Sequence, residues 1–275
     1  MNSGISFGQY YPADSLLHRL DPRTKVLMTV LYIVCTFLCS SAVGFAALVV
    51  SAIVLVLISR IPLGMILRSL RPLLFIIVFT SLINVFMTKG ETLLTPESWV
   101  VSIYAEGIWN AVFMVLRISV LILGTGVFLT YTTTPIALTD ALESLLSPLK
   151  KIKVPVHDFA MMMTIALRFI PTLSEETHKI MNAQKARGAD FSSGSLLRRA
   201  KALIPILVPL FVSAFNRAFE LAAAMECRCY HGGEGRTRLK VLRFRAVDWL
   251  MLLLVVGFGV GLFFLNRVPF LYVMK

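Results

Sequence analysis

The chain has 275 residues, of which 57% are hydrophobic and 15% charged, with a mean hydropathy of +0.80. A soluble domain carries about 25% charged residues, so the composition excludes a soluble enzyme, a disordered chain or a nucleic-acid binder and defines a polytopic membrane protein. The 27 Lys and Arg outnumber the 15 Asp and Glu, giving a net charge of +12, and in a membrane protein such an excess marks cytoplasmic segments.

Residues 1–25 are polar, with Asp14, Arg19, Asp21, Arg23 and Lys25 ahead of any apolar run. A signal peptide would place a short apolar core nearer its start, so the first apolar segment is expected to stay in the protein. Val26 to Ser59 then runs without a charge. One helix of that length would reach about 50 Å, against a hydrocarbon core of about 30 Å, so two helices are expected, with a turn between Ser40-Ser41 and Gly44. Further apolar runs cover 72–86, 108–130 (broken by Arg117) and 247–265 (with Asp248 near its start). Together they predict an all-α membrane protein with about five spans.

Charge placement orients these spans. Arg19, Arg23 and Lys25 before the first span, and Arg60, Arg68 and Arg71 before the third, point inward. The loop 87–107 holds Glu91, Glu97 and Glu106 against Lys89, as an external loop should. The expected organisation is a cytoplasmic segment at 1–25, four transmembrane helices within 26–130, a cytoplasmic domain at 131–245, a fifth helix at 246–266 and an external tail at 267–275. The segment 131–245 holds 17 of the 27 basic residues and is too long to lack structure of its own.

Within it, Thr134-Pro135 reads as an N-cap followed by proline at the first helical position, opening a short helix that ends before Pro148. A second helix is expected from about Val156 to Ala186, stopped by Gly188 at its C′ position. After the polar link Ser192 to Ser195, a third stretch runs from about Leu196 to Cys229 and stops before His231-Gly232-Gly233. Its apolar portion, Ala202 to Phe215, is fourteen residues long and is expected to be buried or interfacial rather than a sixth span. Long helices with one apolar and one basic side lie on a bilayer or dock onto partners.

Three separated stretches then resemble one family. The N-terminal stretch from Tyr11 to Lys25, including Asp21-Pro22-Arg23, resembles the opening signature of the transmembrane (T) component of energy-coupling factor transporters. The stretch from Arg168 to Glu176, running on to Ala186-Arg187-Gly188, looks like that family's first Ala-Arg-Gly region. The stretch from Val208 to Tyr230 looks like the second, with one departure: here the motif is Cys227-Arg228-Cys229. The likeness covers nearly the whole chain, and the motifs stand in the family's order. It implies a coupling subunit of the prokaryotic cytoplasmic membrane that binds no substrate itself and is not an enzyme. Its implied partners are two cytoplasmic ATP-binding subunits, a membrane substrate-binding (S) component that captures a vitamin or similar micronutrient, and the lipid bilayer. Ala186, Arg187 and Gly188, and Cys227, Arg228 and Cys229, would dock into grooves on the two ATPases. A guanidinium suits that role because its planar fork holds a partner's carboxylates or carbonyls bidentately. The competing reading of both arginines is helix capping by a cation in the last turn.

The apolar faces of the coupling helices, carrying Phe159, Met163, Leu207 and Phe211, are expected to pack between helices or against the S component rather than face water. Arg117 is expected to make a structural pair within the bundle, with Asn84 or Asn110 as partner. Cys227, Cys229 and His231 lack a zinc spacing, so no metal is expected. The chain has no Gly-Lys-Ser/Thr phosphate loop and no catalytic cluster, so neither bound ATP nor a cofactor is expected. The rival reading is a self-contained secondary carrier or channel, which would show internal repeats and polar sites at the membrane midplane.

Overall fold

The computed structural model describes residues 10–88, 104–191, 195–232 and 242–267. Most of the expected external loop (Lys89, Glu91 and Glu97), the link residues 192–194, Gly233 and the tail beyond Arg267 lie outside the described residues. Nine α-helices occur among the described residues, and no strand: α1 (Pro22–Leu38), α2 (Ala42–Ser59), α3 (Leu63–Leu70), α4 (Leu74–Met87), α5 (Ala105–Thr125), α6 (Pro135–Leu145), α7 (Val156–Ala186), α8 (Leu196–Cys227) and α9 (Ala246–Asn266). The chain forms two compact units, Gly8–Ala141 with Leu242–Lys275, and Leu142–Val241. Helix α6 begins in the first unit and ends in the second.

Among the described residues, five helical stretches are long and apolar enough to cross a bilayer: α2, α3 with α4, α5 with the π-helical turn after it, α8 and α9. Helix α1 has 17 residues, at the lower end of the length that a span requires. Helix α8 runs unbroken for 32 residues, so the apolar stretch 202–215 belongs to an element long enough to span. The helix matches the expected stretch of about 196–229 and carries Lys201, Pro205, Pro209 and Arg217 within it.

Local chemistry explains the boundaries in the first unit. Asp21 caps α1 by accepting from the Arg23 N–H at 3.0 Å, and Pro22 takes the first helical position, where its missing N–H costs nothing. Ser41 caps α2 by accepting from the Gly44 N–H, which closes the expected turn. The core gathers Met28, Tyr32, Phe45, Leu48, Val127 and Phe128. Tyr32 meets Phe128 edge-on at 5.6 Å between ring centroids, and its ring fills the space beside Gly124, where any Cβ would overlap it. Arg117 donates from Nη2 to the Cys39 carbonyl at 2.8 Å and lies 5.2 Å from the Phe45 ring centroid. It is therefore tied inside the bundle as expected, but to a backbone carbonyl and an aromatic face, while Asn84 donates to the Thr80 carbonyl.

The signature stretch 11–25 forms a buried polar knot. Lys25 is 2% exposed, and its ammonium donates to the Thr132 carbonyl at 2.8 Å and the His18 carbonyl at 3.4 Å. Asp248, equally buried, accepts from two backbone groups: Asp21 N–H at 2.8 Å and Arg245 N–H at 2.7 Å. Tyr11 N–H donates to the Tyr131 carbonyl, and its own carbonyl pairs with His18 Nε2 at 2.9 Å. The N-terminal segment thereby ties the end of α5 to the start of α9.

Burial pushes the Lys25 ammonium down to about 8, against the opposing pull of Asp248 and Asp21. Its folded value thus lies below the unfolded one, and between the two the unfolded chain binds more protons. Stability should therefore rise with pH from about 8 to 10.5. Thermal unfolding of the solubilised protein across that window should show the rise, and Lys25→Met should lose it.

The second unit is built from long helices. Helix α6 opens in the first unit, where Thr134 caps it by accepting from the Ala137 N–H. Glu143 on α6 pairs with His157 on α7 at 2.9 Å. Helix α7 runs 31 residues and contains Pro171, and α8 contains Pro205 and Pro209.

Candidate functional site

Both expected arginine motifs occur as helix C-termini of the same local form. At the end of α7, Arg187 is the C-cap and Gly188 takes φ +86°. The Gly188 N–H donates to the Lys185 carbonyl at 2.9 Å, and the Ala189 N–H to the Gln184 carbonyl at 3.0 Å. At the end of α8, Arg228 is the C-cap and Cys229 takes φ +55°. The Cys229 N–H donates to the Glu226 carbonyl at 2.8 Å, and the Tyr230 N–H to the Met225 carbonyl at 3.1 Å. This pair of bonds is the Schellman closure, and it consumes the carbonyls that would otherwise attract a capping cation.

The capping work is thus done by backbone. Both arginine side chains are exposed, and neither has a partner among the described residues. Each arginine stands at the tip of a helix about 47 Å long. Arg187 is flanked by Ala186 and Gly188. Arg228 is flanked by Cys227 and Cys229, both exposed free thiols.

Cys229 occupies the left-handed position that Gly188 fills at the other site. A non-glycine residue there costs about 1–2 kcal/mol, part of which glycine returns through its freer unfolded chain. Cys229→Gly should stabilise the end of α8 by about 0.5–1 kcal/mol, while Gly188→Ala should destabilise the end of α7 by about 1 kcal/mol. Hydrogen-exchange protection of the last turn of each helix would register the opposite signs.

The four residues of the apolar faces are exposed and do not pack between helices among the described residues. Phe159, Met163, Leu207 and Phe211 are 61%, 54%, 57% and 65% exposed. Phe159 and Met163 are one turn apart on α7, and Leu207 and Phe211 one turn apart on α8. The α8 face extends further than the sequence reading took it: Phe211, Phe215 and Phe219 form a ridge with successive centroids 4.7 and 6.4 Å apart. Their spacing of four residues was the available signal.

Two residues in the second unit went unremarked as a pair. Glu176 on α7 accepts from Arg217 Nη2 at 2.8 Å and from Ser213 Oγ at 2.6 Å, both on α8. No spacing rule joins positions 41 apart, so only the packed helices bring them together. Among the described residues, no group of three or more His, Cys, Asp or Glu side chains could hold a metal ion.

The arrangement defines a multi-pass helical membrane protein that carries, between its last two apolar stretches of the first unit, a pair of long helices ending in exposed arginines. The cobalt transport protein family, CbiQ, matches residues 13–239. A Ruminiclostridium cellulolyticum protein is 55% identical over 248 residues, covering 90% of this chain and 91% of its own. An Acidaminococcus fermentans protein is 50% identical over 267 residues (97% and 98%), and one from Bacillus subtilis 46% identical over 266 residues (97% and 100%). Each is named energy-coupling factor transporter transmembrane protein EcfT. The chain belongs to this family of transmembrane components of energy-coupling factor transporters.

Proposed function

We propose that the chain couples two cytoplasmic ATP-binding subunits to a membrane substrate-binding subunit, for uptake of a vitamin or similar micronutrient. The observation that carries this reading is the pair of matched helix ends, each closed by its own backbone and each presenting one exposed arginine without a partner among the described residues. Two like sockets on two like ATPases would receive such a pair. The apolar faces around Phe159 and Met163 on α7, and Leu207 and Phe211 on α8, are the surfaces offered to the substrate-binding subunit, since bare patches of that extent mark partner or lipid contacts. In this reading 131–245 lies on the ATPase side, in keeping with its 17 basic residues.

Two measurements test it. The tagged chain purified from its native membrane should bring with it two nucleotide-binding chains and one further membrane subunit. Transport by the chain alone, in vesicles without ATPases, would instead establish a secondary carrier. Thiol labelling should place Ser193→Cys on the same side as the native Cys227 and Cys229, and Ser98→Cys on the other. Ser193 and Cys229 on opposite sides would put α8 across the bilayer and remove the proposed orientation.

A further inference from the structure

The tie between Glu176 and Arg217 stands at a singular place. Glu176 precedes Arg187 by eleven residues, and Arg217 precedes Arg228 by the same eleven. Eleven residues are just over three turns of helix, or roughly 16 Å at 1.5 Å per residue. After three turns a helix has come back to within about 20° of its starting direction, so on each helix the tie residue and the arginine leave from nearly the same face.

The prolines fall on one side of this tie. Pro171 lies before Glu176 on α7, and Pro205 and Pro209 lie before Arg217 on α8. Proline removes a helical hydrogen bond and is the usual seat of a bend. From the tie to each arginine the helix contains no proline.

The tie itself is stronger than an ordinary surface ion pair. Both carboxylate oxygens of Glu176 are engaged, one by a guanidinium and one by a hydroxyl, and the side chains of Glu176 and Arg217 are only 23% and 33% exposed. Charge-assisted bonds of this kind fix geometry as well as adding energy. Much of the large apolar surface of α8 faces away from this contact, as the exposure of Leu207, Val208, Phe211, Val212 and Phe219 shows. Apolar packing alone tolerates a slip of one helix along the other, and one turn of slip would displace an arginine by about 5.4 Å.

We infer that Glu176, Arg217 and Ser213 form the fulcrum of the helix pair, setting two rigid arms of equal length so that the two arginines move in register. Glu176 and Arg217 are then positioning residues: they touch neither ATPase nor substrate, and act by fixing where Arg187 and Arg228 stand relative to each other. This inference rests on the docking role proposed for those arginines.

The test uses the complete transporter in proteoliposomes, with Arg217→Glu, the exchange Glu176→Arg with Arg217→Glu, and the double variant Arg187→Ala with Arg228→Ala in parallel. Two quantities are read: ATPase retention, and substrate moved per ATP hydrolysed. Arg217→Glu sets two carboxylates face to face, while both docking arginines remain. It should keep both ATPases bound and lower the substrate moved per ATP by roughly fivefold or more, the scale of a lost coupling interaction. The exchange should recover most of that loss, which a merely destabilised helix would not. Unchanged transport per ATP in Arg217→Glu overturns the fulcrum, and so does a loss that the exchange fails to recover. Retention of both ATPases by the double alanine variant overturns the docking role itself, a result distinct from either.

Discussion

Replacing Arg187 and Arg228 together by alanine should release the ATP-binding subunits from the purified complex and abolish uptake, while the membrane portion stays folded. Each single change should cost about 2 kcal/mol or more of ATPase affinity, the range found for anchoring arginines at protein interfaces. The structure sharpens the contrast with simple capping. A cation that only complements a helix end is worth about 0.3–1 kcal/mol, and lysine would replace it. Here the Schellman bonds already satisfy the helix ends without either side chain. Alanine should therefore leave the thermal stability of the isolated chain nearly unchanged, and lysine should restore docking only in part because it lacks the planar fork. The two sites should differ, since the neighbours of Arg228 are larger than those of Arg187. Native mass spectrometry of the complex and ATP-driven uptake in vesicles supply the readouts. Full retention of both ATPases with normal uptake would defeat the docking role.

The second large effect is expected in the other unit, at Asp248. Its carboxylate accepts from the Asp21 and Arg245 backbone N–H groups and lies near the buried Lys25 ammonium. Asp248→Ala would strand two buried donors and deprive Lys25 of its strongest favourable charge. A loss of about 3–5 kcal/mol is expected, as for a buried charge pair broken from one side. Asp248→Asn keeps the shape but offers one acceptor oxygen in place of two, so about half that loss should remain. Thermal unfolding of the solubilised protein would rank the three forms. An alanine variant as stable as the parent would mean that the knot contributes nothing to folding.

Much of the helix layout was legible because its signals are local. Thr134-Pro135, Gly188 and the Ser41 turn each announce a helix end through one or two residues, and the observed ends fall there. The arginine motifs could be found the same way, although their shared Schellman closure could not, because Cys229 gives no hint of a left-handed backbone. The extent of α8 was legible too, from the polar link before it to the His231-Gly232 stop, and the helix absorbs the charges and prolines inside it. Asp248 looked like a minor interruption of an apolar run. Its importance comes from Asp21, 227 positions away, and no periodicity reports a partner at that separation. Glu176 and Arg217 were hidden for the same reason.

The knot also has a consequence for how the protein is made. Asp21 and Lys25 leave the ribosome early, whereas Thr132 follows 107 residues behind Lys25, and Asp248 227 residues behind Asp21. At synthesis rates of about 5–20 residues per second, the N-terminal segment waits roughly 10–45 s for its last partner. Through that interval the Asp21 N–H has no Asp248 to meet, and the bundle of α1, α2 and α5 must persist without its final tie. Closure then depends on the arrival of α9, so a chain cut short before residue 246 cannot finish its first unit, however well the preceding helices are inserted. The segment before α1 thus pairs with α9 only after the whole intervening sequence has been translated.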